Sequence, residues 1–171
     1  MTKRIALLFA ALCLCFVCCR AETVGGNTGD NYSEIEMSAS LDSLTEKYGQ
    51  GEQCGDYIRF GNALCAFYES GRLLAKARYF DDVREAAAFS EGNFAKASRL
   101  KYGTPLDEIS ALLGEGCEIM RINLSDEDEP GHRIVLAWQN ARGEVLEALL
   151  ELEDDVWVLF ALGDVLTEET K

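Results

Sequence analysis

Residues able to do chemistry are few in this chain. His132 is the only histidine among 171 residues, so a Ser-His-Asp triad or a multi-histidine metal site has little to be built from. The nucleophile pattern G-x-S-x-G is absent from the sequence. Cys54 and Cys65 have ten residues between them and no histidine nearby, which is a poor zinc pattern. We therefore predict no cofactor, and we expect His132 to be a loop residue.

The acidic segment SDEDEPGH (125–132) is the other candidate for chemistry, because hard cations bind clustered carboxylates. A calcium loop beginning at Asp126 would place Gly131 sixth, as required, but Pro130 fifth. Its twelfth residue would be Ala137, where a bidentate glutamate is needed. We therefore predict a solvated acidic hairpin loop and no metal site.

The N-terminal segment predicts export. Lys3 and Arg4 precede an apolar run that has the length of a signal-peptide core and is too short to span a bilayer comfortably. We assign residues 1–20 to a signal peptide and the Gly-rich residues 21–30 to a flexible tether. The protein is therefore expected to be extracytoplasmic.

Two ways of processing the signal remain open. Cys19 follows Phe16-Val17-Cys18, which loosely resembles the site at which bacterial lipoproteins are lipidated. Cys19-Arg20-Ala21 instead approximates the small-residue signal of ordinary secretion. We favour a lipid anchor on Cys19, with free secretion as the alternative.

The net charge limits the partners. Without the predicted signal peptide the chain has 13 basic residues (16 less Lys3, Arg4 and Arg20) against 30 acidic ones, a charge of about −17. Such a surface repels nucleic acid and anionic headgroups. Three cysteines remain outside the signal peptide, Cys54, Cys65 and Cys117, so at least one thiol has no intramolecular disulfide partner.

A short pattern occurs twice. Aligning Gly49 with Gly114 superposes LDSLTEKYG (41–49) on LDEISALLG (106–114). Both predict an amphipathic helix that ends at a glycine, with Ser40 and Thr104 as N-caps and Pro105 at the first helical position.

Strands follow each predicted helix, because the apolar period changes to two. They are expected over 62–69, 72–80, 132–140, 144–153 and 156–162. Residues 82–103 between the two patterns have helical propensity. We predict an α+β fold of two tandem repeats, at 31–81 and 82–166, each a helix-turn-helix on an antiparallel β-sheet of three or four strands.

The segments YSEIEMSASLDSLTEKYGQGEQC (32–54) and NFAKASRLKYGTPLDEISALLGEGC (93–117) resemble the repeated unit of the beta-lactamase inhibitor protein family. The same unit is similar to the small outer-membrane lipoproteins of the barrel-assembly machinery. In the inhibitor family a cysteine follows the helix-ending glycine and pairs with another about a dozen residues later. The resemblance, which covers about 31–162, implies a disulfide between Cys54 and Cys65.

The resemblance also implies where a partner would bind. In the inhibitors an acidic residue on a hairpin and an aromatic residue on a later loop enter the target enzyme, and Tyr68 and Glu69 lie at the matching hairpin tip. Residues 139–144 contain no aromatic residue, so beta-lactamase inhibition is not expected. Trp138 and Trp157 are further partner-binding candidates, provided that the sheet has a face without helices.

We therefore expect a non-catalytic protein-binding module of the cell envelope, with another protein as its partner. One alternative is a small envelope hydrolase that uses paired carboxylates among Asp56, Glu69 and the acidic segment 125–132. A second alternative is direct inhibition of an extracytoplasmic enzyme.

Overall fold

The computed structural model describes residues 30–79, 90–124 and 131–163. The predicted signal peptide, the lipidation candidate Cys19 and all but the last residue of the tether lie outside these ranges. So does most of the acidic segment 125–132.

The described residues form four short helical segments and nine strands. The helical segments are α1 (Asn31–Glu34), α2 (Leu41–Tyr48), the 3-10 helix η1 (Phe94–Arg99) and α3 (Leu106–Leu113). The first four strands are β1 (Glu52–Cys54), β2 (Tyr57–Phe60), β3 (Ala63–Phe67) and β4 (Leu73–Arg78). The others are β5 (Ser90–Glu91), β6 (Cys117–Leu124), β7 (Gly131–Gln139), β8 (Val145–Glu153) and β9 (Val156–Leu162).

All nine strands belong to one sheet, in the order β1-β2-β3-β4-β6-β7-β8-β9, and neighbours in this order are antiparallel. The two-residue strand β5 lies parallel to the end of β7. The predicted fold of two helix-turn-helix repeats on separate small sheets is therefore wrong. The sheet is continuous because β4 pairs with β6, with Lys76 opposite Arg121, and this pairing leaves neither strand as an open edge.

Some of the predicted helix caps are present in the structure and others are not. Ser40 caps α2, since its side chain accepts the Ser43 amide at 3.2 Å, and Gly49 (φ 85°) follows the helix in a left-handed conformation. Thr104 does not cap α3. The N-cap is Pro105, which makes no side-chain capping bond, and the Thr104 hydroxyl instead donates to the Lys101 carbonyl at 2.7 Å.

Helices pack on one face of the sheet over two apolar clusters. The first cluster lies under α1 and α2, and Leu41 packs against it; it consists of Tyr32, Ile35, Leu44, Phe60, Ala63, Cys65 and Leu73. The second cluster lies under η1 and α3, and Leu106 packs against it; it consists of Ala97, Ile109, Leu113, Ile134, Leu136, Trp138, Leu146, Ala148, Leu150 and Leu159.

Strand side chains alone form a third cluster, on the opposite face. It consists of Leu64, Ala77, Ile119, Met120, Val135, Ala137 and Leu149. None of these residues is more than 9% exposed, and no described helix contributes to the cluster. Because its members are buried, the centre of this face is not a contact surface.

The cysteines do not form the predicted disulfide between Cys54 and Cys65. Cys54 is in β1 and Cys65 is in β3, with β2 between them. Two strand spacings amount to about 9.5 Å, which exceeds the roughly 7 Å that a disulfide can bridge. The two residues also face opposite sides, because Cys65 belongs to the first helix-side cluster and Cys54 packs against the third cluster.

A polar network fills the junction between the two helix-side clusters. The Lys76 ammonium is buried and donates to the carbonyls of Tyr32 (2.7 Å) and Ile35 (2.6 Å). The Tyr32 hydroxyl donates to Glu118 at 2.9 Å, and Arg121 donates to both oxygens of the same carboxylate. Burial lowers the pKa of Lys76.

Arg78 extends this network to the start of α1. Its guanidinium pairs with Asp30 at 2.9 Å and donates to the Glu118 carbonyl at 3.0 Å. Burial would raise the pKa of Asp30, but hydrogen bonds from Ser33, Asn62 and Arg78 hold that pKa below its ordinary value. The network thus links α1, β4 and β6.

Candidate functional site

A groove of about 690 Å³ lies at the end of the sheet where β7 turns into β8. One wall is the β7–β8 hairpin tip, the other is the segment that leads from β5 into η1, and the end of α3 closes the groove. It is lined by Glu91, Gly92, Asn93, Phe94, Ala95, Lys96, Leu112, Leu113, Gly114, Asn140, Ala141, Arg142 and Glu144.

The hairpin tip is fixed by Asn140. The Asn140 side-chain oxygen accepts the amides of Arg142 (2.9 Å) and Glu144 (3.0 Å), and its side-chain nitrogen donates to the Glu144 carboxylate. Gly143 follows with φ 78°, a conformation that glycine adopts without strain. Asn140 thereby orders the turn that presents Arg142.

The opposite wall is attached to the sheet by backbone bonds. The Gly92 amide donates to the Gln139 carbonyl at 3.0 Å, and the Asn93 amide donates to the Leu113 carbonyl at 3.2 Å. The indole of Trp138 donates to the Gly114 carbonyl at 2.9 Å. Three hydrogen bonds therefore hold β7, α3 and the start of η1 together beneath the groove.

Close packing makes glycine necessary in this wall. A Cβ atom on Gly92 would lie 2.6 Å from the Phe94 ring and 2.7 Å from Cβ of Trp138. A Cβ atom on Gly116, just beyond α3, would lie 2.6 Å from the Trp138 ring. The groove is thus built directly on the buried tryptophan, with no space for its walls to collapse inward.

The groove combines apolar surface with two cations. Phe94 and Leu112 are half-buried and pack against the second helix-side cluster. Lys96 and Arg142 also line the groove, and neither forms an ion pair with a described residue. Apolar surface beside fixed polar groups suits binding, because the former supplies affinity and the latter supply orientation.

The two tryptophans proposed as partner contacts lie on the helix side of the sheet. Trp138 is 0% exposed, so it cannot contact a partner in the folded protein, and that prediction is wrong. Its place is beneath the groove. Trp157 is half-buried against the second helix-side cluster, and the Arg121 guanidinium lies 5.8 Å from its ring centroid.

Tyr68 and Glu69 lie at the opposite end of the sheet from the groove. The Tyr68 hydroxyl donates to the Asn123 carbonyl at 2.7 Å, and Asn123 is paired with His132 at the start of β7. Glu69 is exposed on the β3–β4 turn. The structure therefore does not bring these two residues together with Trp138 in one site.

Residues considered for catalysis or metal binding are dispersed. Asp56 and Glu69 are exposed on separate turns, and His132 is exposed in β7. Burial raises the pKa of Glu147, which lies opposite Ala137 in β8. Among the described residues, no group of three or more His, Cys, Asp or Glu side chains could hold a metal ion.

Sequence reasoning did not find the groove. Asn140 and Gly143, within residues 139–144, have the composition of an ordered turn. The signal that points to this place is a basic residue, Arg142, within a turn of a strongly acidic chain.

Within the ranges 30–79, 90–124 and 131–163, no helix has the length and apolar character needed to cross a membrane.

No protein-family model matches the chain. The chain is similar to part of the non-structural polyprotein p200 of rubella virus (strain BRDII), with 28% identity over 126 residues. This match includes 74% of the chain and only 6% of the polyprotein.

Proposed function

We propose that this protein is a non-catalytic binding module that holds an extended segment of another protein in the groove at the β7–β8 end of the sheet. The observation that carries the proposal is the construction of the groove. Its walls are fixed by hydrogen bonds, the half-buried side chains of Phe94 and Leu112 line it, and its two cations have no described ion-pair partner.

Rigid walls favour binding because little conformational entropy is lost when the partner docks. The Asn140 turn and the bond from Trp138 to Gly114 order both sides of the groove in advance. Phe94 and Leu112 offer apolar area to a partner. The open shape suits a peptide segment better than a small molecule, which is usually enclosed over most of its surface.

We further propose that the module acts outside the cytoplasm, tethered by a lipid on Cys19. The predicted signal peptide and the Gly-rich segment 21–30 support this location. Intact mass of the mature protein tests it. A diacylglyceryl group on Cys19 would support the anchor, whereas an unmodified chain that begins at Glu22 would show free secretion.

Site-specific photocrosslinking in native envelope tests the groove. A photoreactive amino acid at Ala141, an exposed lining residue, should capture one discrete protein, whereas the same probe at Glu46 on the exposed side of α2 should not. Replacing Phe94 by Ala in the Ala141 probe variant should abolish the adduct. Identical adducts from Ala141 and Glu46, or an adduct that survives the loss of Phe94, would contradict the proposal.

A further inference from the structure

We infer that the edge of the sheet at β9 binds an arginine-bearing segment of a partner protein, with the guanidinium held between the Tyr102 ring and the Glu153 carboxylate. Neither residue lines the groove, so this surface is a second one and does not depend on the proposed function. The inference follows from an arrangement that the chain forms repeatedly with its own cations and that lacks a cation here.

The recurring arrangement is a cation that contacts both a carboxylate and an aromatic ring. The Arg121 guanidinium, for example, pairs with Glu118 and lies 5.8 Å from the ring centroid of Trp157. A ring face attracts a cation, and the carboxylate accepts a charged hydrogen bond from it. The other four ion pairs between described residues have the same three parts: Lys47–Glu34–Tyr48, Arg59–Glu52–Tyr79, Arg78–Asp30–Tyr32 and Arg133–Glu151–Phe160.

Tyr102 and Glu153 supply the ring and the carboxylate of this arrangement without a cation. The Tyr102 hydroxyl lies 3.5 Å from a carboxylate oxygen of Glu153. The hydroxyls of Tyr32 and Tyr48 also contact a carboxylate, and in both cases a lysine ammonium lies over the ring. No described cation lies over the Tyr102 ring or pairs with Glu153.

The ring and the carboxylate belong to an exposed apolar surface. Tyr102 (69% exposed), Val156 (47%) and Leu162 (36%) are the exposed large apolar side chains of the described ranges, and all lie in β9 or in the loop that pairs with it. Val156 is opposite Glu153, and the ring centroid of Phe160 is 6.0 Å from that of Tyr102. Exposed apolar surface that is grouped in one place, beside polar side chains, is typical of interaction sites.

The backbone at the centre of this edge is already paired. The Gly103 amide donates to the Leu159 carbonyl, and the Leu159 amide donates to the Thr104 carbonyl, both at 2.8 Å. Pro105 then forms a bridge to Val158. A partner therefore cannot extend the sheet by adding a strand along the centre of β9, and recognition must use side chains.

Charge complementarity favours a basic partner over a second copy of this chain. The paired segments 101–108 and 153–160 contain five acidic residues and one basic residue, Lys101. Lys101 is exposed and forms no ion pair with a described residue. Two such edges would repel each other, whereas a cationic segment would be attracted.

Arginine fits this place better than lysine does. The planar guanidinium can stack on a ring while its N–H groups donate to a carboxylate beside the ring. Four of the five cations in the recurring arrangement are arginines. The exposed Val156 gives the partner an apolar contact next to the guanidinium.

An NMR titration of the mature protein tests this inference in about 0.15 M salt, which screens long-range attraction. The probes are acetyl-Leu-Arg-Val-Arg-Leu-amide and its counterpart in which citrulline, a neutral analogue of the same shape, replaces both arginines. The backbone amides of Gly103 and Val156 report on the β9 edge. Those of Gly92 and Gly114 report on the groove.

The arginine peptide should shift the Gly103 and Val156 amides, leave those of Gly92 and Gly114 unchanged, and bind at least about threefold more tightly than the citrulline peptide. Tyr102→Ala should remove most of this preference, whereas Tyr102→Phe, which keeps the ring, should retain it.

Glu153→Gln should also weaken binding of the arginine peptide. Glu46→Gln makes the same change of charge on the exposed side of α2 and should leave binding intact. These substituted side chains are exposed, so amide spectra away from the β9 edge should remain those of the wild type.

Several outcomes would overturn the inference and leave the proposed function of the groove standing. They are equal binding of the two peptides, unchanged binding in Tyr102→Ala and Glu153→Gln, and no shift of the Gly103 and Val156 amides at millimolar peptide. Shifts confined to Gly92 and Gly114 would place the peptide in the groove instead. Self-association of the free protein that Tyr102→Ala abolishes would assign the β9 edge to a second copy and would also overturn the inference.

Discussion

Buried charged side chains in this protein have partners that offset the cost of their desolvation, and the sequence does not reveal these partners. Lys76 follows three apolar residues in β4, and its ammonium donates to two carbonyls and lies 4.4 Å from the ring centroid of Tyr32. The Glu118 carboxylate accepts hydrogen bonds from Arg121 and Tyr32, and the charge of Lys76 also acts on it. Removing one member of such a network leaves the others desolvated and uncompensated.

Replacing Glu118 by Gln should lower the free energy of unfolding by about 2 kcal/mol at pH 7, the scale of a hydrogen bond to a charged group. Burial would raise the pKa of Glu118, but hydrogen bonds from Arg121 and Tyr32 hold it below its ordinary value of 4.5. The carboxylate therefore stabilises the fold above about pH 4.5, and this contribution is lost as the pH falls further. Urea unfolding at pH 7 and at pH 3 measures the effect.

The difference in the free energy of unfolding between wild type and Glu118→Gln should be smaller at pH 3 than at pH 7. Glu46→Gln, on the exposed side of α2, should change stability by less than about 0.5 kcal/mol at either pH. A difference for Glu118→Gln that does not depend on pH would contradict the role of the ionised carboxylate.

Trp138 and Trp157 make a matched pair for the core beneath the groove. Trp138→Phe removes a buried indole and leaves the Gly114 carbonyl without its donor, so a loss of about 2 kcal/mol is expected. Trp157→Phe, at a half-buried position, should cost less than about 1 kcal/mol. Equal losses in thermal unfolding would show that the bond to Gly114 contributes nothing.

The sequence predicts which strand positions are apolar, and it does not predict which side chains face them. Ile134, Leu136 and Trp138 alternate as expected and share one buried cluster. The same pattern leaves open whether a tryptophan is core or contact, because that depends on which face the helices cover. The burial of Lys76 likewise depends on α1, which is distant in sequence.

The β7–β8 hairpin and the segment from β5 to η1 form the groove because their backbones approach closely. The parallel bridge between Ser90 and Trp138 brings them together, and Gly92 allows the aromatic rings to pack at the contact. The shape of the groove is therefore determined by the backbone as much as by its side chains.

Gly92→Ala should destabilise the protein by about 1–3 kcal/mol, the usual cost of overpacking, because the new methyl group meets Phe94 and Trp138. Gly131→Ala is the matched control, since its Cβ would be 3.5 Å from the Glu151 carboxylate, an ordinary contact. The control should be neutral or slightly stabilising. Chemical denaturation of both variants compares them, and equal stability would contradict the close packing.

Strands were predicted better than the helical segments. Expected strands over 132–140, 144–153 and 156–162 are confirmed as β7, β8 and β9, because alternation is a local property. The segment 94–99 is a 3-10 helix and not the expected α-helix. The two residues before it, Gly92 and Asn93, are held by hydrogen bonds to β7 and to the end of α3, which propensity alone does not predict.

One sheet runs through the whole molecule, and the pairing of β4 with β6 makes it continuous. The sequence contains the repeated helical pattern but nothing that specifies this pairing, since it joins strands more than 40 residues apart, Lys76 with Arg121. The prediction of the disulfide is wrong for a related reason, because spacing along the chain does not reveal that β2 lies between Cys54 and Cys65.

The two halves of the sheet should unfold together. Trp138 lies in β7 and Trp157 lies in β9, so tryptophan fluorescence reports on this half of the sheet. Far-ultraviolet circular dichroism reports on strands throughout the sheet. Because β4 and β6 are hydrogen-bonded neighbours, the fluorescence and circular dichroism transitions should coincide in urea. Two separated transitions would show that the β4–β6 pairing does not couple the halves.

The polar network around Lys76 also divides the helix side of the sheet into two apolar compartments. Leu44→Ala makes a cavity in one compartment. Because the two apolar clusters are separate, side chains of the other compartment cannot repack to fill this cavity. Its energetic cost should simply add to that of Leu146→Ala in a double-mutant cycle, to within about 0.5 kcal/mol. Substitutions in one compartment should therefore not alter the cost of substitutions in the other. Substitutions in the polar network between them should affect both compartments.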